Sequence, residues 1–300
     1  MPPIAAGAVA LAAVLDLGVG EPPRRVHPVA FLGRLVAPFD REWAHPTAVG
    51  AVVALAVPAL AAAVAGGLTL ASAAAHPLAG GIVPGLVLFA TTSRRMLLDV
   101  AREVVDESES DLPGARSDLR ALAGRDATGL TAGEVRSAAV ESAAENLADG
   151  LVGPLLAFAL IAPVSLPLAA AGAAWVKGVN TVDSMLGYPG KPVGTAGARL
   201  DDLVMWVPAR IAALLIAMAA LSPDALFAGR RWADRPTSPN AGAPMATLAA
   251  AVDVRLEKPG AYVLNPDASL PSVDAANRGA DVVGVASGLA FVGAGVVAWL

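Results

Sequence analysis

Carboxylates at helical spacing beside apolar runs are the first chemical signal in this chain. In AVESAAENLADG, Glu141, Glu145 and Asp149 stand at i, i+4 and i+8, so a helix would carry them along one stripe with Asn146 beside it. Like charges at that spacing repel by roughly a few tenths of a kcal/mol per pair. A solvated face tolerates this. At the mouth of a membrane segment a bound cation, Mg2+ or a substrate ammonium, explains it better.

Further on, VNTVDSMLGY places Asn180 and Asp183 at i, i+3, a pair that could contact substrate or simply cap a helix starting near Asn180. ARLDDLVMWVPARI sets Arg199 beside Asp201 and Asp202, with Arg210 after an apolar run. A charge inside such a run costs about 2.5–3.5 kcal/mol on insertion, which marks Arg210 as a functional candidate, and guanidinium groups grip phosphate or carboxylate bidentately. The alternative is that Arg210 pairs with one of the aspartates. RPTSPNAGAPM presents Asn240 in a Pro-bounded loop, and LDLGVGEPPRRVHPVAFLGRLV offers Asp16, Glu21, His27 and Arg34. His27 precedes Pro28 and so cannot lie inside a helix.

The elements that must position these residues belong in a bilayer. The chain has 300 residues, 56% hydrophobic and 16% charged, against about 25% charged in soluble domains. A soluble globule of this length has no interior large enough for that apolar surface. A net charge of −5 without a basic stripe excludes a nucleic-acid partner, and the absence of cysteine removes disulfides, thiolate metal sites and a Cys nucleophile. No Walker A loop, GxGxxG or GxSxG sequence is present.

Six apolar stretches are candidate membrane segments, at 3–19, 47–75, 78–93, 150–176, 203–221 and 282–300. The fourth is broken by Pro154, Pro163 and Pro167, and the fifth holds Pro208 and Arg210. If all six span, the polar stretch 177–202 is stranded opposite most of the Lys and Arg residues. If the fourth is a re-entrant hairpin and the fifth interfacial or re-entrant, all polar stretches meet on the cytoplasmic face. The second arrangement is preferred. The expected fold is therefore all-α, a polytopic helical membrane protein with four to six membrane segments, some Pro-broken or re-entrant. It forms a single domain over 1–300, with a cytoplasmic helical insertion over 94–149. Within the insertion, Thr131 and Glu134 have capping-box spacing and predict a helix start.

The stretches LDLGVGEPPRRVHPVAFLGRLV, AVESAAENLADGLVGPLL, VNTVDSMLGY, ARLDDLVMWVPARI and SPNAGAPM, in this order, resemble the CobD/CbiB family of adenosylcobinamide-phosphate synthases. The resemblance implies a multi-pass cell-membrane ligase that joins the propionate of adenosylcobyric acid to aminopropanol or its phosphate. ATP and Mg2+ would be its cofactors, and later enzymes of the corrinoid pathway would be further partners. It implies Glu141, Glu145, Asp183, Asp201 and Asp202 as catalytic residues. Substrate would bind at His27, Asn146, Asn180, Arg199, Arg210 and Asn240, and Mg2+ at Glu145 and Asp149. Amide formation requires an activated carboxylate, most simply an acyl phosphate, and an unprotonated amine. The Asp201/Asp202 pair would orient or deprotonate that amine, and Arg199 and Arg210 would hold phosphate. After Gly187-Tyr188 this chain continues Pro-Gly-Lys-Pro-Val-Gly-Thr, where the family usually carries a charged run. A transporter would also place charges in broken helices, but no inverted repeat is visible. A non-catalytic membrane scaffold would leave the ordered motifs unexplained.

Overall fold

A computed structural model describes residues 2–22, 25, 27–122, 126–188 and 190–300. The helices in chain order are α1 (Pro2–Gly18), α2 (Pro28–Val36), α3 (Pro46–Ala75), α4 (Pro77–Thr91), α5 (Arg95–Ser110), α6 (Leu112–Leu122) and α7 (Ala132–Asn146). After a π-helical turn at Leu147–Val152 come α8 (Gly153–Ile161), α9 (Leu166–Leu186), α10 (Thr195–Val204), α11 (Trp206–Ala219), α12 (Pro223–Gly229), α13 (Gly242–Ala251) and α14 (Val273–Trp299). A short antiparallel hairpin, β1 (Leu256–Lys258) and β2 (Tyr262–Leu264), precedes α14 and pairs Glu257 with Val263. The all-α expectation holds apart from this hairpin.

Among the described residues, three helical runs are long and apolar enough to cross a membrane: Pro46–Ala75, Ala132–Ile161 and Val273–Trp299. The broken pair Pro192–Val204 and Trp206–Ala219 makes a fourth if counted as one span. α3, with 30 residues, is about 45 Å long and exceeds the hydrocarbon thickness of a bilayer. Leu55 and Leu70 on α3 are 66% and 62% exposed, which only lipid can cover without cost. The segments expected at 3–19 and 78–93 form the shorter helices α1 (17 residues) and α4 (15 residues).

The chain divides into two compact units. The first comprises residues 1–93, 149–205 and 290–300; the second comprises 94–148 and 206–289. In the first, Pro163 and Pro167 separate α8 from α9 as expected, whereas Pro154 breaks nothing, because it sits in the first turn of α8, where its missing N–H is not needed. The two helices pack back to back, with Gly172 set against Ile161 and Ala157. Ser165 caps α9, and proline at the first turn of α2, α3 and α4 supplies the helical φ at no further entropic cost. The imidazoles of His27 and His76 accept the first free N–H groups of α2 and α4 through Nδ1. Val36, Val53, Val57, Val182, Leu186 and Val193 form one core that joins α2, α3 and α9. α3 and α9 pack tightly at Pro58 and Gly178, where a Cβ on the glycine would lie 2.8 Å from the Pro58 backbone.

In the second unit the capping box forms as expected. The Thr131 hydroxyl accepts from Glu134 N–H, and the Glu134 carboxylate accepts from Thr131 N–H at 2.7 Å. The α5 residues Arg102 and Asp106 reach the start of α14 at Asp281 (2.8 Å) and Asn277 (3.1 Å). Gly279 packs on Val140 of α7.

Candidate functional site

In the first unit several short segments deliver charge to one place. Glu21 lies between α1 and α2, Asp149 in the π turn, Lys177 just past the middle of α9 and Asp201 on α10. The Lys177 ammonium interacts with all three carboxylates; burial pushes its pKa down, and Glu21, Asp149 and Asp201 act in the opposite sense. The backbone enforces this meeting. Gly153 sits against Val176 and Met205, where a Cβ would come within 3.2 and 3.0 Å. Those residues lie one position or one helical turn from Lys177, Asp201 and Asp149. The Ser93 N–H also donates to Gly150 O at 3.0 Å and ties the end of α4 to the π turn.

His27 joins the group from its N-cap position. Its Nδ1 accepts from Val29 N–H at 3.1 Å, which leaves the proton on Nε2, 3.4 Å from the Glu21 carboxylate. For Glu21, burial raises the pKa, but hydrogen bonds from His27 and Ser93 and the charge of Lys177 outweigh it, and the net shift is downward. Glu21 therefore stays an anion at neutral pH.

Asp183 lies one turn before the end of α9. Burial, and then the charge of Asp202, raise its carboxyl from 3.8 to about 6. Its Oδ1 occupies the space a Cβ on Gly187 would need, so only glycine fits there. Asn180 is an internal residue of α9, 9% exposed, and is no helix cap. Arg199 is exposed on α10, one turn before Asp202. The loop that departs from the family pattern is anchored by Lys191, whose ammonium donates to Asp40 at 2.8 Å and lies over the Tyr188 ring at 5.4 Å.

The remaining predicted residues belong to the second unit. Glu141 is 0% exposed and accepts from the hydroxyls of Tyr262 (3.2 Å) and Ser137 (3.4 Å); Ser137 in turn accepts from Glu257 N–H at 2.7 Å. Glu145 is half-buried near the end of α7, where Asn146 donates to Ser142 O at 2.9 Å. The single stripe expected through Asp149 is interrupted, because i→i+5 bonding in the π turn abandons the 3.6-residue period after Asn146. Arg210 and Asn240 are brought together. The guanidinium donates to Asn240 Oδ1, to Trp206 O (3.1 Å) and to Pro239 O (3.0 Å), and lies 4.7 Å from the Trp206 ring centre. Arg210 thus bonds two backbone carbonyls and a side-chain amide, in place of the aspartate that the alternative reading offered it. An acidic trio on α5 and α6, Glu103, Glu107 and Asp118, has oxygens within 4.8 Å of one another.

Sequence reasoning did not single out Lys177 or Tyr262. Lys177 carried a usable signal, a lone cation closing an apolar run, the same argument that picked Arg210. Tyr262 carried none, since its role depends on the hairpin meeting α7.

Comparison with known proteins settles the family. The family model described as CobD/Cbib protein matches residues 9–287. The chain belongs to the CobD/CbiB family. A probable cobalamin biosynthesis protein CobD of Methanothermobacter thermautotrophicus is 37% identical over 267 residues, 85% of this chain and 84% of that one. The cobalamin biosynthesis protein CobD of Geobacter metallireducens is 38% identical over 277 residues, 87% of this chain and 84% of its own. That of Klebsiella pneumoniae is 35% identical over 267 residues, 83% and 81%. No solved structure matches this CobD/CbiB chain.

Proposed function

We propose that this CobD/CbiB protein is an acid–amine ligase of cobalamin biosynthesis. It would join the propionate of adenosylcobyric acid to aminopropanol or aminopropanol phosphate at the cytoplasmic face of the cell membrane. The observation that carries this reading is the gathering of Glu21, Asp149, Lys177 and Asp201, with Asp183 beside Asp202, within one unit of a chain whose helices are long and apolar enough to span a membrane.

Mg2+ and ATP fit the groups present. Asp183 and Asp202 set two carboxyl groups near the negative end of the α9 dipole, an arrangement that a hard divalent cation relieves. Asp149 and Asp183 are the proposed oxygen ligands in this unit, and the exposed Arg199 is a proposed phosphate-binding cation. ATP with Mg2+ would supply activation of the propionate, which must lose one oxygen when an amide forms. The Asp201/Asp202 pair receives the substrate ammonium and accepts its proton, so that the amine attacks neutral. Asn180 and His27 border the same cluster and orient substrate. In the second unit, Glu141 and Glu145 are proposed metal- or nucleotide-side carboxylates, and Arg210 with Asn240 a phosphate-side pair, each to be assayed separately.

The test uses purified protein in detergent or nanodiscs with adenosylcobyric acid, ATP and Mg2+, and with each amine in parallel. A corrinoid product heavier by the amine less water is the expected result, and the faster amine identifies the substrate. No product with either amine would overturn the proposal.

A further inference from the structure

We propose that Lys177 is a positioning residue, a tethered counter-ion that gathers Glu21, Asp149 and Asp201 from three segments and fixes them before any ligand arrives. The inference rests on the ligase reading for what the gathered groups then do, but not for the gathering itself.

The geometry has three parts. Gly178, next to Lys177, is pressed on Pro58 of α3, so the ammonium stem starts from a tightly packed point of α9. Val176, on its other side, shares Gly153 with Met205, which draws the π turn and the end of α10 to the same level. Glu21 is held from behind by the Nε2 of His27 at 3.4 Å, and the imidazole is itself fixed by α2. Three carboxylates in a partly desolvated site repel one another strongly, and one covalently attached cation removes that cost without demanding a metal. Asp149, held this way, presents its carboxylate to Mg2+ in a set orientation. Outer partners of ligands typically alter metal affinity about 10–100-fold.

The chain contains no cysteine, so a Lys177→Cys variant carries a single thiol. A methanethiosulfonate reagent can attach an aminoethyl group there, restoring a cation at nearly the lysine length. The methyl reagent attaches a neutral cap. Two quantities are read on the full chain in nanodiscs: the thermal midpoint without substrates, and the Mg2+ concentration for half-maximal ligation against kcat. The expected result is a midpoint several degrees lower in the unmodified and methyl-capped forms. Their Mg2+ requirement should rise about tenfold with a smaller change in kcat. The aminoethyl form should recover both. Lys177→Arg, which keeps the charge, should retain the midpoint should the thiol variant fail to fold. A methyl-capped form that recovers as well as the aminoethyl form, or a Lys177→Arg variant as damaged as Lys177→Met, would overturn the proposal. If wild-type protein ligates nothing, the ligase reading fails while the midpoint series still decides the role of Lys177.

Discussion

The two units hold buried carboxylates in different ways. In the first, Glu21, Asp149 and Asp201 face the ammonium of Lys177, and Asp183 faces another carboxylate, Asp202. In the second, Glu141 receives two hydroxyls, from Ser137 and Tyr262, at the junction of α7 with the hairpin. Hydroxyls satisfy a buried carboxyl group in place and contribute about 0.5–1.5 kcal/mol each to the fold. Charges set against charges leave a group whose state depends on what else binds. The first arrangement suits proton transfer and cation capture, the second holds a carboxyl group in one orientation.

The sharpest way to break this comparison is to neutralise one carboxylate in each unit. Asp202→Asn should reduce ligation by at least about 100-fold with little change in thermal midpoint. Glu145→Gln should match it, because Glu145, unlike Glu141, is partly exposed at the end of α7. Near-normal rates in both well-folded variants would remove the acid–base assignment. A smaller loss, about 10-fold, is expected for Gly187→Ala, whose methyl group displaces the Asp183 carboxylate. It should appear in kcat more than in the KM for either substrate; an unchanged kcat would separate Asp183 from the chemistry.

The pH dependence sharpens the same contrast. The Asp183 carboxyl, raised to about 6 from 3.8 by burial and Asp202, binds its proton more tightly in the folded chain than in the unfolded one. Its contribution to stability is therefore fully present below about pH 4, falls as pH rises through about 6, and is constant above. Thermal midpoints from pH 4 to 7 should show this decline in wild type and a flatter curve in Asp183→Asn; parallel curves would contradict the assignment. The smallest effect belongs to the second unit. Tyr262→Phe should cost about 1 kcal/mol of stability and leave kcat within about threefold, as measured by denaturation and steady-state rates.

Local signals read from the sequence survive in the structure. The Thr131–Glu134 capping box, the exclusion of His27 from a helix and the break at Pro163–Pro167 each depend on a few neighbouring residues. So does the membrane class, which follows from composition and apolar length. What the sequence did not disclose depends on contacts between distant segments. The Lys177 cluster needs α9, α10 and the π turn to meet, and the Glu141 network needs Tyr262, 121 positions away. The π turn itself defeated the carboxylate spacing, since a single i→i+5 turn shifts every later residue off the expected stripe. Asn180 and Asp183 suggested a cap only because their helix starts earlier, at Leu166, within an apolar run that hides its beginning.

The most direct test of the central claim follows the oxygen that amide formation must remove. Adenosylcobyric acid labelled with 18O in its free propionate is incubated with the purified protein, ATP, Mg2+ and the preferred amine. The account predicts one labelled oxygen in the phosphate or nucleotide product for each amide formed. An amide product whose label is released only to water, or no amide at all, would contradict it.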